Sequence, residues 1–135
     1  MNYELKMIEK VGFAAAVLGG VRTPDTLLAA AAQATAFCDE RNISRVLIDL
    51  RSMSGGLDTL ETYDVAGREL PRQEAVRRVL KSAILDRPEN IERIRFFETV
   101  AVNRGLNVRV FADEETAVEW LLTDAIGGAS PRDHD

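Results

Sequence analysis

A chain of 135 residues and 14.9 kDa has room for one domain with a single hydrophobic core. Its 46% hydrophobic and 29% charged residues do not fit a disordered segment, and a net charge of -5 gives no general attraction for nucleic acid or anionic lipid. A single cysteine cannot form an intramolecular disulfide and a single histidine leaves few soft ligands for zinc, so a reducing, cytoplasmic setting is expected. Charges at Glu4, Lys6, Glu9 and Lys10 stand where a signal peptide would hold an apolar run, so no leader is expected.

Tyr3, Leu5 and Met7 alternate with Glu4, Lys6 and Ile8, and Val11 to Leu18 is continuously apolar. That run is too short for a membrane helix, which needs about 20 apolar residues. The two runs, separated by Glu9-Lys10, predict an antiparallel hairpin, with Gly19-Gly20 as the turn that ends it. Thr23 before Pro24 predicts a capped helix start, and Leu27, Leu28, Ala31, Ala34, Thr35 and Cys38 continue it at helical spacing to about Asn42. Val46-Leu47-Ile48-Asp49-Leu50 predicts a central buried strand. Ser52 to Gly56 then form a flexible loop, and Asp58 with Glu61 has capping-box spacing.

Leu60, Tyr63, Gly67 and Leu70 share one stripe of the second helix, which stops at Pro71 or passes there into its connection. Val79 to Leu85, bounded by Asp86-Arg87-Pro88, predicts a strand, and Ile91, Ile94, Phe97, Val100 and Ala101 mark the third helix. Gly105 closes that helix, Asn107 to Phe111 is a strand, and Asp113 caps a final helix with Ala117, Val118, Leu121 and Leu122. The order ββαβαβαβα is an α/β fold with a single mixed sheet of four to five strands and about four helices. Residues 1-124 form the domain and 125-135, which hold His134, form a tail. Helices on one or both faces of the sheet remain open at this point.

Three stretches carry a family resemblance: Val46 to Leu50 leading into Gly55-Gly56-Leu57, Phe96-Phe97-Glu98-Thr99 in a helix, and Asn107 to Phe111 followed by Asp113 to Leu121 with its Ala-x-x-Trp-Leu ending. With the opening hairpin they make the chain resemble STAS-type domains, specifically the SpoIIAA-like (STAS/SEC14-like) branch related to anti-sigma-factor antagonists. The resemblance implies the same mixed sheet and non-enzymatic work by protein contact. In the antagonists a serine or threonine after the central strand, in an Asp-Ser-x-Gly-type loop, is phosphorylated. Here the loop reads Arg51-Ser52-Met53-Ser54-Gly55-Gly56, without an aspartate before a serine; Ser54 is the nearest equivalent and Ser52 the second.

No spacing supplies a catalytic constellation. Asp49 lacks a local His, Lys or second acid, Cys38 lies on the apolar stripe of an Ala-rich helix, and neither glycine pair has the longer pattern of a phosphate loop. Tyr63 and Trp120 fit helix-on-sheet packing. Arg72, Arg77, Arg78, Lys81 and Arg87 make the most basic stretch, read as a solvated face, while Arg93 and Arg95 stand among Glu92 and Glu98 for local charge pairing. No catalytic residue, metal ligand or cofactor site is assigned.

The expectation is a regulatory or scaffolding domain whose partner is another protein. The contact or regulatory loop comprises Ser52, Met53, Ser54, Gly55, Gly56, Leu57 and Asp58, with Met53 or Leu57 supplying apolar area and phosphate on Ser54 weakening or redirecting the contact. The alternatives are a small-molecule or lipid-binding module taking a small apolar ligand and, behind it, an enzyme with a site assembled from distant residues. No nucleic acid partner and no membrane insertion are expected. An exposed sheet edge or helix side leaves monomer and symmetric homodimer both open.

Overall fold

Residues 3-123 are described by the computed structural model; the tail expected at 125-135 lies outside the described residues. Tyr3–Glu9 forms β1 and Ala14–Val21 forms β2, paired antiparallel with Leu5 opposite Leu18 and Met7 opposite Ala16. The hairpin turn falls at 10-13, later than the sequence pattern places it. The Lys10 N–H donates to the Phe13 carbonyl at 2.8 Å, Gly12 takes φ 89°, and Val11 projects into solvent. Gly19 and Gly20 belong to β2 and not to a turn: the β2 register against the next strand shifts between Val17 and Gly19, and Gly20 sits at φ 106°. A strand irregularity of this kind uses the conformational freedom of glycine as a turn does.

Helix α1 spans Pro24–Glu40. The Thr26 N–H donates to Thr23 Oγ1 at 3.1 Å and the Thr23 N–H donates to Thr26 Oγ1 at 3.0 Å, a reciprocal cap. Strand β3 covers Arg45–Ser54, because Ser52, Met53 and Ser54 pair with Gly19, Gly20 and Val21. These three residues are therefore strand, and the loop shrinks to 55-58. Asp58 caps α2, Thr59–Asp64, as expected.

The second helix then departs from its expected phase. Val65–Glu69 is a π turn in which the Leu70 N–H reaches back five residues to the Val65 carbonyl, and short helical turns follow at α3, Leu70–Arg72, and α4, Glu74–Arg77. Pro71 has no N–H with which to extend an α-helical ladder. The buried residues are Thr62, Val65 and Ala66; of the stripe read from Leu60, Tyr63, Gly67 and Leu70, only the half after Tyr63 turns inward, with Leu70 packed against the core and Leu60 and Tyr63 exposed.

Strand β4 is Lys81–Leu85, a 3₁₀ turn at Pro88–Asn90 leads into α5, Ile91–Asn103, and β5, Val108–Phe111, precedes α6, Glu114–Leu122. Asp113 caps α6 by accepting the Thr116 N–H at 2.9 Å. The sheet order is β1-β2-β3-β4-β5, antiparallel at β1-β2 and parallel elsewhere.

Both faces of the sheet carry helices. Ala14, Ala16, Leu18, Val46, Leu50, Ile84 and Val108 form a core with α1, the π turn and α5, whereas Ala15, Leu47, Ala83 and Leu85 pack against Ala117, Trp120 and Leu121 of α6. This double coverage explains why apolar residues follow one another directly at Val46-Leu47-Ile48 of β3 and Ala83-Ile84-Leu85 of β4. Met53, Leu85 and Leu121 are fully buried, each contributing about 1.5-3 kcal/mol through removal from water. Glu4 and Lys6, between the inward-facing Tyr3, Leu5 and Met7, stay exposed at the β1 edge.

Candidate functional site

The carboxyl ends of β2, β3 and β4 converge where crossover loops leave a parallel sheet, the position at which α/β folds build sites. Arg22 follows β2 and Asp86 follows β4. Arg22 Nη1 donates to Asp86 Oδ2 at 2.6 Å and Nη2 to Asp86 Oδ1 at 2.7 Å, while Nη2 also donates to the Leu50 carbonyl at 3.1 Å. The Arg87 N–H and Asn90 Nδ2 complete the Asp86 shell at 2.8 and 3.1 Å. The side chains are 5% and 0% exposed. Burial works to raise the Asp86 pKa, but hydrogen bonds from Arg22, Asn90 and Arg87, with the Arg22 charge, outweigh it and hold the carboxyl below its ordinary value. The pair ties three strand ends together and offers no open position for a substrate.

Around this lock, the seven residues of the expected contact loop divide. Ser52, Ser54, Gly55 and Asp58 are exposed, whereas Met53 is 1% and Leu57 8% exposed. Both apolar members point into the core, so neither is available to a partner, contrary to the sequence expectation. Gly55 turns the chain at φ 77°, and Gly56 lies beneath Arg93: a Cβ on Gly56 would sit 2.2 Å from Arg93 Nη1. Asp58 Oδ1 accepts the Glu61 N–H at 2.8 Å and Glu61 Oε1 accepts the Asp58 N–H at 3.0 Å. This capping box already occupies helix-start amides that a phosphate on Ser54 or Ser52 would seek.

Exposed apolar surface comes instead from α2. Leu60 is 78% and Tyr63 52% exposed, and the Tyr63 ring meets Phe96 edge-on, with centroids 5.4 Å apart and planes at 90°. Beside them, an open depression of about 480 Å³ is lined by Gly56, Asp58, Thr59, Arg93 and Phe96, among others. Arg93 is exposed, and among the described residues no ion pair joins it to a neighbouring glutamate as expected from sequence; the carboxylate of Glu98 is buried and accepts the Val110 N–H at 2.8 Å. Sequence periodicity missed Leu60 and Tyr63 as surface residues because the π turn lies downstream of them. Arg22 carried no local signal, and Asp86 entered only as part of a turn.

The remaining candidates have structural roles. Arg51 Nε and Nη2 chelate Asp49 at 3.0 and 2.9 Å, and Nη2 also reaches Glu114 at 3.0 Å. Cys38 is 1% exposed, and Trp120 packs at 5.7 Å from Phe111. The basic stretch is dispersed: Arg78 is clamped by Asp39 at 2.9 and 3.0 Å, Lys81 is buried with Nζ donating to the Trp120 carbonyl at 2.8 Å, and Arg87 lies beyond the opposite end of β4. Among the described residues no three metal-ligating side chains cluster, and no helix is long and apolar enough to cross a membrane.

An apolar cavity of about 110 Å³ lies between the sheet and the helices that cover it, bounded by Ala16, Ala30, Ala34, Ile84, Phe97 and Ala101, among others. It is smaller than the ~150 Å³ that accommodates benzene and far below the ~300-1,000 Å³ of ordinary ligand pockets.

No family model matches the chain, and no curated protein matches it significantly. Among solved structures it is similar to an uncharacterised protein of the DUF3478 family with a SpoIIAA-like fold from Shewanella loihica PV-4. The two share 18% identity with a TM-score of 0.55, over 88% of this chain and 93% of that one. Strand order, helix placement and this likeness agree: the chain has a SpoIIAA-like fold.

Proposed function

We propose that this domain is a non-enzymatic regulatory or scaffolding module that binds another protein through 54-58 and the outer side of α2. The observation that carries the reading is the exposure of Leu60 and Tyr63 on a helix that buries smaller side chains beneath them. Two large apolar residues beside an open depression provide area for a partner, and Arg93 favours a partner that brings a carboxylate to the rim. The SpoIIAA-like fold supports a contact role, and Ser54, exposed at the end of β3, is the place where phosphate would add negative charge next to that surface. The small apolar cavity supports the ligand-binding alternative only for molecules of very few heavy atoms.

A cross-linking pull-down with quantitative mass spectrometry tests the reading. Partners of the wild type are expected to be lost with Leu60→Asp and Tyr63→Ala. They are expected to be kept with Val11→Ser, which changes an exposed residue at the opposite end of the sheet. Equal recovery by all the variants would remove α2 as the contact surface.

A further inference from the structure

The two edges of the sheet differ in a way that bears on self-association. At the β5 edge, the Asp86 N–H donates to the Phe111 carbonyl and the Ser82 N–H to the Asn107 carbonyl, so these alternate residues face β4. Val110 lies between them and turns its N–H outward, where the Glu98 carboxylate accepts it at 2.8 Å. The β5 edge is short and already covered.

At the β1 edge, the Lys10 N–H to Phe13 carbonyl bond fixes the alternation of the ladder. Lys6 and Glu4 share the phase of Lys10 and direct their backbone groups to β2; Tyr3, Leu5 and Met7 direct theirs outward. The same odd-numbered side chains pack toward α1, while Glu4 and Lys6 stand exposed on the other face without an ion pair among the described residues.

We propose that the β1 edge is a homodimer interface, with two copies joined antiparallel about a two-fold axis at Leu5. This register sets Leu5 against Leu5 and Tyr3 against Met7 as hydrogen-bonded pairs. It sets Glu4 against Lys6 of the second copy as a non-hydrogen-bonded pair, the geometry with Cα atoms only about 4.5 Å apart and the closer side chains.

Charge selects that register. Moving the axis to Glu4 opposes two glutamates, moving it to Lys6 opposes two lysines, and an odd offset mismatches the apolar and charged faces. Leu5 as the centre satisfies face, hydrogen-bond phase and charge together. The α1 helices then lie on one side of a continuous sheet. The part of α1 near β1, where Tyr3 Oη donates to Gln33 Oε1, exposes the small residues Ala32 and Ala36.

The test is sedimentation equilibrium on tag-free protein, with hydrogen exchange across a concentration series. The wild type is expected to move from 14.9 kDa toward twice that mass. The amides of Leu5 and Met7 are expected to gain protection with concentration, while that of Val110 does not. Glu4→Lys and Lys6→Glu are each expected to weaken association by at least about tenfold, and the double exchange Glu4→Lys/Lys6→Glu to restore it. Circular dichroism and an unchanged monomer melting curve check the fold of each variant. A wild-type mass fixed at 14.9 kDa up to about 1 mM, where even weak specific pairs assemble, overturns the proposal. So does a dimer indifferent to the charge changes, or one left unrepaired by the double exchange.

Discussion

Replacing Asp86 with asparagine strips Arg22 of its counter-charge while keeping the size of the side chain. Asp86 is fully buried and the Arg22 side chain only 5% exposed, so solvent screens the loss very little. Breaking one side of such a buried pair costs about 3-5 kcal/mol; asparagine keeps one oxygen for the Arg22 fork, which places the loss near ~3 kcal/mol. A chain of 135 residues has on the order of 7-20 kcal/mol in total, so the variant folds but melts about 10 °C lower. Urea unfolding followed by far-UV circular dichroism reads the difference.

The pH dependence supplies an independent check on the same pair. Above about pH 5 the carboxyl is ionised in both states and its contribution is fully present. As pH falls, the unfolded chain takes up its proton near 3.8 while the native group, with its pKa held lower, resists, so stability drains across that interval. Asp86→Asn lacks this part of the acid loss. A cost below about 1 kcal/mol at neutral pH would refute the account. It would equally be refuted if Arg22→Met/Asp86→Leu lost the full sum of the single variants, because a coupled pair removed together leaves no orphaned charge.

Two further outcomes follow from buried groups. Glu98→Ala leaves the outward Val110 N–H without its carboxylate, and denaturant unfolding is expected to show a loss of about 1-3 kcal/mol with faster exchange of that amide; unchanged protection would reject the pairing. Burial pushes the Cys38 thiol up, offset in part by the Arg41 charge, so an aromatic disulfide reagent is expected to label the native protein at least ~1,000-fold more slowly than the denatured chain. Labelling at the denatured rate would place that helix face in solvent.

Features governed by local chemistry were legible in the sequence. Thr23, Asp58 and Asp113 each cap a helix as their spacing indicates, because a cap needs only the next turn of backbone. The alternating β1 and the apolar Val46 to Ile48 likewise indicated a half-wet first strand and a buried central one, while helix coverage of one or both faces stayed open. What eluded the sequence depends on distant partners. Ser52 to Ser54 become strand through Gly19 to Val21, and Glu98 leaves the wet side of its helix to meet an amide of β5. Met53 and Leu57 look exposed among glycines and serines, yet sheet pairing and the turn at Gly55 direct them inward. The exposed apolar side chains near that loop are Leu60 and Tyr63 of α2, not Met53 and Leu57.

The π turn at Val65–Glu69 has a consequence for how this surface changes over evolutionary time. Such a turn is an α-helix carrying one surplus residue, and losing that residue leaves an ordinary ladder. The wide turn absorbs the surplus residue, so a single-residue deletion there would close it to an α turn and leave the segment bearing Leu60 and Tyr63 facing outward as before. Relatives one residue shorter between Asp58 and Pro71 would thus keep the same face of α2 outward, and positions on either side of the wide turn correspond only across a one-residue gap.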